Sequence, residues 1–153
     1  ILQNRDVYIN LEFKTNKIHN IGIESIVLAL VKNYHFVHPI IFSSFNYWTL
    51  KNCQRIDKKQ QYCFLMKVPV LFPEYFVKKN HFAAIHPHFY LPSKVTQRIW
   101  TVDNPKLARR YFKLGVAGIF TNNFELMNKV KKEIRWFSGF FNSIFFSRSI
   151  IKW

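Results

Sequence analysis

Residues 7–14 (VYINLEFK) alternate strictly, with Asn10, Glu12 and Lys14 on one side and Ile9, Leu11 and Phe13 on the other. That two-residue period is the mark of a β-strand. The charge on the polar side narrows the choice of fold. An antiparallel sheet would turn such a face to water, whereas a parallel barrel turns it toward its axis, where charge is kept for function.

The segments that follow favour the barrel. Residues 21–33 put Ile23, Ile26, Val27, Leu30 and Val31 close to one helical stripe. Residues 39–45 form a short apolar run with β-branched members, 47–59 are compatible with a helix, and 62–70 read as a further apolar strand. Residues 73–80 carry no clear pattern. Residues 82–86 and 98–102 look like strands, 105–114 like a helix with Pro105 in its first turn, and 116–121 like a last strand. Leu126, Val130 and Ile134 then space out a closing helix over 125–136.

Strands alternating with helices predict a parallel α/β fold. The strand candidates number six, against eight strands and typically about 250 residues in a closed barrel. The expected fold class is therefore α/β, the C-terminal half of a TIM-type (β/α)₈ barrel. One crossover is unusually short, because only about ten residues separate the strand candidates on either side of 88–97, and its helix is expected to be shortened or missing.

The 153 residues suffice for one domain. Lys and Arg exceed Asp and Glu by 23 to 8, a net charge of +15 that attracts phosphates, nucleic acid or anionic lipid. The charges are dispersed in pairs such as Lys58-Lys59, Lys78-Lys79, Arg109-Arg110 and Lys131-Lys132. They are read as solvated faces, so no specific nucleic-acid partner is expected. Cys53 and Cys63 lack CxxC spacing and are read as ordinary thiols of a reducing, cytoplasmic compartment. Ile1 is not an initiator methionine and no basic-plus-apolar leader follows, so no secretory signal is read and sequence is expected upstream.

Four motifs occur in order: INLEFK at 9–14, SSFN at 43–46, Ile85-His86-Pro87, and WTVDNP at 100–105 leading into LGVAGIFTN at 114–122. In this order they resemble the glycerophosphodiester phosphodiesterase family. The resemblance implies metal-dependent hydrolysis of glycerophosphodiesters to an alcohol and glycerol 3-phosphate. It makes Glu12 a ligand of a divalent cation, Mg²⁺ or Ca²⁺, and Lys14 the cation that holds the phosphate. Carboxylate oxygen suits a hard cation, and a phosphodiester displacement needs its charge neutralised. Trp100 takes the place of an aromatic wall beside the substrate, with Val102 and Asn104 on the same alternating face, and Ser43 and Phe45 line the pocket. No base and acid for a serine triad are identifiable. The spacing of His86 and His88 permits metal chelation, although a structural role is commoner.

The family's HRG, ENT, Glu-x-Asp and HD motifs are absent from residues 1–153. No catalytic residue is therefore named, and activity is expected to require an N-terminal half. Ala117 stands where the family has Asp in GVDGI, and Phe124 where Pro is common. The expected organisation is a partial phosphodiesterase domain over 1–136 and an aromatic-basic tail over 137–153. The tail is too interrupted to span a bilayer but is suited to a membrane surface. A basic nucleic-acid- or membrane-binding protein on a barrel remnant is the alternative function.

Overall fold

A computed structural model of the chain describes residues 8–15, 20–138 and 143–146. Most of the 137–153 tail lies outside them. The elements, in order, are β1 (Asn10–Phe13), α1 (Ile23–Lys32), β2 (Ile41–Ser44), α2 (Tyr47–Ile56), β3 (Gln61–Met66), α3 (Pro73–Asn80), β4 (Ala84–Pro87), β5 (Arg98–Ile99), α4 (Pro105–Lys113), β6 (Gly118–Thr121), α5 (Phe124–Ser138) and β7 (Ser143–Phe146). They divide between two units, Ile1–Leu65 with Asn80–Ala83, and Met66–Lys79 with Ala84–Trp153.

In the first unit β1, β2 and β3 run parallel, with Glu12 opposite Ser43 and Ser43 opposite Cys63. Register partners in a parallel pair share a face, so Asn10, Glu12, Ser43 and Cys63 line one side. The other side is aromatic. The Phe42 ring lies 6.0 Å from that of Phe13 and 5.8 Å from that of Tyr62. Helix α2 packs there through buried Leu50 and Cys53, and the Tyr62 hydroxyl donates to the carbonyls of Cys53 (3.1 Å) and Asp57 (2.6 Å) at its C-terminal end. A buried tyrosine needs such a partner for its polar tip. Burial, with the Glu24 carboxylate adding to it, pushes the Cys53 thiol up to about 12, which leaves it unreactive.

Helix α1 departs from the stripe its sequence presents. Glu24 and Leu28 are buried, while Ile26 is 67% and Leu30 56% exposed. The segment is apolar on several faces, so periodicity alone does not choose which one packs.

In the second unit β5, β6 and β7 form a parallel sheet, and an isolated parallel bridge ties β4 to the residue before β5. Ile85 bridges to Gln97, Arg98 pairs with Gly118, Ile99 with Ile119, and Gly118 to Thr121 with Ser143 to Phe146. Strand β7 falls where the sequence offers no alternation. The core is Ile99, Val102, Ala108, Phe112, Val116, Ile119, Met127 and Val130, joining the sheet to α4 and α5. The Arg109–Glu133 ion pair between these helices (2.6 Å) is exposed and contributes about 0–1 kcal/mol.

The crossover from β4 to β5 contains no helix, in line with its length. Buried Gln97 organises it instead, accepting from the Leu91 amide (3.0 Å) and donating to the Leu91 carbonyl (2.7 Å). The architecture of each unit is parallel strands covered by helices, an α/β fold.

Candidate functional site

Glu12 and Lys14 leave the end of β1 on the side that also carries Asn10, and both reach solvent. Loss of hydration nevertheless pushes the Glu12 carboxyl above its ordinary range, and the nearby Lys14 ammonium offsets only part of this. Ser43, opposite Glu12 in register, is fully buried, and its Oγ accepts from Asn10 Nδ2 at 3.0 Å. Phe45 is half-buried just past β2.

The SSFN motif does more than line this edge. Ser44 Oγ donates to the Phe13 carbonyl (2.8 Å) and accepts from the Asn46 amide (3.0 Å). Asn46 Nδ2 donates to the Thr15 carbonyl (3.2 Å), and the Thr15 and Thr49 hydroxyls meet at 2.6 Å. The backbone is thus gripped on both sides of Lys14. Asn46 Oδ1 also caps α2, accepting from the amides of Trp48 (3.0 Å) and Thr49 (3.3 Å).

In the second unit, half-buried Trp100 follows β5 and is fixed at both ends. Its indole Nε1 donates to the His86 carbonyl at 2.6 Å, and its own carbonyl lies 2.8 Å from His88 Nδ1. The His88 and Trp100 rings sit 4.7 Å apart. Asn104 is the N-cap of α4, its Oδ1 accepting from the amides of Lys106 (2.9 Å) and Leu107 (3.3 Å), with Pro105 behind it. Val102 does not share a face with these residues in the way alternation implies. It is buried in the helix-side core, because the strand ends at Ile99 and the chain turns.

Asp103 explains why WTVDNP and GIFTN occur as a pair. Its carboxylate accepts from Thr121 Oγ1 (2.8 Å), the Asn122 amide (2.7 Å) and Asn122 Nδ2 (2.8 Å). Partial burial works to raise its pKa, but the Asn122 and Thr121 bonds outweigh it and hold the carboxyl below its usual range. Nothing in WTVDNP by itself shows this task for Asp103. Asp103→Ala is expected to cost about 1–3 kcal/mol, seen as a lower urea midpoint. An unchanged midpoint would mean that the clamp carries no stability.

His86 is completely buried on β4, and neither ring nitrogen has a hydrogen-bond partner. Its ring lies 5.0 Å from Phe120. Burial first, and the positive charge of Arg98 second, drive its pKa well below the ordinary histidine value, so the ring is neutral. His86 and His88 therefore occupy different surroundings, one against Phe120 and the other against Trp100. Among the described residues no group of three or more His, Cys, Asp or Glu is placed to hold a metal. Glu12 is a donor type that suits a divalent cation but by itself does not complete such a site, which takes six or more oxygen ligands.

No protein-family model matches the sequence. A glycerophosphodiester phosphodiesterase of Caldanaerobacter subterraneus is 27% identical over 143 residues, covering 86% of this chain and 59% of that protein. The Bacillus subtilis protein YqiK, itself uncharacterised, is 25% identical over 130 residues, covering 77% and 54%. The chain thus spans little more than half the length of these curated relatives. Among solved structures, a Silicibacter pomeroyi putative glycerophosphoryl diester phosphodiesterase superposes with a TM-score of 0.74 at 21% identity, over 89% of this chain and 52% of that one. An Oleispira antarctica phosphodiesterase in complex with the product sn-glycerol 3-phosphate superposes at 0.71 and 16% identity, over 82% and 56%. The chain is thus similar in sequence to a glycerophosphodiester phosphodiesterase, and it shares its fold with solved structures of such enzymes.

Proposed function

We propose that the chain is the C-terminal half of a (β/α)₈ phosphodiesterase barrel and contributes to hydrolysing glycerophosphodiesters to an alcohol and sn-glycerol 3-phosphate. The observation that carries this is the matched pair of gripped motifs: INLEFK held by SSFN at the end of β1, and WTVDNP held to GIFTN beyond β5. The sequence relatives and the product-bound fold neighbour support it.

In this reading Lys14 pairs with the anionic phosphoryl oxygens. Glu12 is the one carboxylate this half supplies to a divalent cation, which when bound neutralises charge on the phosphoryl group. A carboxyl held above its ordinary range gains from a nearby positive charge, which favours its ionised form. The remaining ligands and the acid–base pair are assigned to the N-terminal half, because residues 1–153 hold none of the HRG, ENT, Glu-x-Asp or HD motifs.

Trp100 offers an apolar wall to the glycerol or alcohol portion, and Phe45 is assigned to the pocket lining of the first unit. Asn104 donates through its amide while its oxygen caps α4. Ser43 acts by holding Asn10 on the Glu12 side of β1. Cys53 and Cys63, both buried thiols, fit a reducing, cytoplasmic setting.

The test is fragment complementation. The chain would be mixed with the N-terminal portion of the Caldanaerobacter relative, and sn-glycerol 3-phosphate release from glycerophosphocholine and glycerophosphoethanolamine followed. Release that needs both parts and a divalent cation is expected. No release at any ratio of the two folded parts, with either substrate, would contradict the assignment.

A further inference from the structure

Six residues, Lys67 to Phe72, join β3 to α3, and their composition is odd for a surface loop. Val68 is 71% exposed, Leu71 85% and Phe72 75%, and Tyr75 on the first turn of α3 is 63% exposed. Four large apolar side chains so close in sequence and so far from any core are a feature that protein surfaces seldom carry without a partner. The backbone holds them out. Phe72 has a φ of 54°, a left-handed conformation that bulky residues avoid and that the surrounding structure must enforce. Pro69 and Pro73 stiffen the chain on either side.

Charge borders the apolar tip. Lys67 precedes it, Lys78 and Lys79 follow on the last turn of α3, and Lys79 Nζ lies 5.5 Å from the centre of the Tyr75 ring. The nearby acid Glu74 is turned to the Lys94 amide, which donates to its Oε1 at 2.9 Å. The local balance is cationic in a chain already at +15. The loop also starts at a defined place, since the carbonyl of Met66 accepts from the His88 amide at 3.1 Å and His88 bonds the Trp100 carbonyl.

We infer that the β3–α3 loop is a docking element for an anionic lipid bilayer, with Val68, Leu71, Phe72 and Tyr75 entering the headgroup region and Lys67, Lys78 and Lys79 meeting lipid phosphates. Protruding apolar residues with a lysine border suit an interface of that layering: hydrocarbon at the tip, negative charge just above it. The inference stands apart from the proposed hydrolysis and holds whether or not the chain is active. Among the described residues no helix is long and apolar enough to cross a membrane.

The experiment is co-sedimentation of the full chain with vesicles of phosphatidylcholine alone and of phosphatidylcholine with phosphatidylserine, over a salt series. Binding to the mixed vesicles, weakened by salt, is expected. Leu71→Ser with Phe72→Ser should lower it roughly tenfold or more, and Lys78→Glu with Lys79→Glu should abolish the preference for phosphatidylserine. These side chains are exposed, and thermal melts of each variant check that the fold survives. As a second readout, Leu71→Trp should be quenched by brominated lipid more strongly than the natural tryptophans. Absence of wild-type binding to either vesicle would overturn the inference. So would full binding by the serine variant, or quenching no greater than in the natural chain, either of which would put the lipid contact elsewhere.

Discussion

At pH 5 the His86→Leu variant is expected to resist urea better than the natural chain, and the advantage should shrink as the pH rises toward 7 and level off above it. The imidazole is fully buried with both nitrogens unpartnered and a pKa driven well below 6.5 by burial and by Arg98. The unfolded chain takes up a proton near 6.5, whereas the folded chain does not until a lower pH. The unfolded state therefore binds more protons in that window, and stability falls as pH falls. Each pH unit below 6.5 in which the native ring stays neutral costs about 1.4 kcal/mol. Leucine removes the titration and places an apolar group against Phe120, where the lost ring nitrogens had no bond to lose. Urea midpoints of both proteins between pH 5 and 8 measure this. Parallel curves would mean that His86 is solvated or bonded in solution.

The same residue marks where the sequence stops being informative. Nothing in AAIHP says that the ring is buried without a partner, because burial of one face of β4 depends on strands far along the chain. Local signals did better. The alternation of Asn10, Glu12 and Lys14 placed β1, and Pro105 marked the start of α4, where the Asn104 cap just before it is a further short-range pattern. Asn46 carries the same cap signal before α2, legible but easily passed over inside a motif.

The strand read over 98–102 contracts to Arg98–Ile99, because Val102 is drawn into the helix-side core. Residues 73–80, without a clear pattern, form α3. Its inward side is supplied by half-buried Phe76 and Val77 and buried Asn80, a face too mixed to register as an apolar stripe. Strand β7 is held by its ladder to β6, a long-range pairing that leaves no trace in FSGFFNSIFF, where aromatic residues fall on both alternating faces.

For the candidate site, residue types were legible and their supports were not. Glu12, Lys14 and Trp100 were named from motifs, but the Ser44–Asn46–Thr15 grip and the Asp103 clamp join segments 18 to 31 residues apart and emerge only with the fold. The environment of Glu12 is likewise a product of folding, since the loss of hydration that raises its pKa comes with burial.

The most direct test of the account is Glu12→Ala in the complemented mixture. If Glu12 supplies a carboxylate to the phosphoryl-binding cation, removing it should lower the rate of sn-glycerol 3-phosphate release by about 10²–10⁴-fold, the effect of losing several kcal/mol of transition-state stabilisation. Excess divalent cation should restore part of that loss, and the urea midpoint of the chain should not fall. Release by the Glu12→Ala chain at the rate of the natural chain would contradict the account.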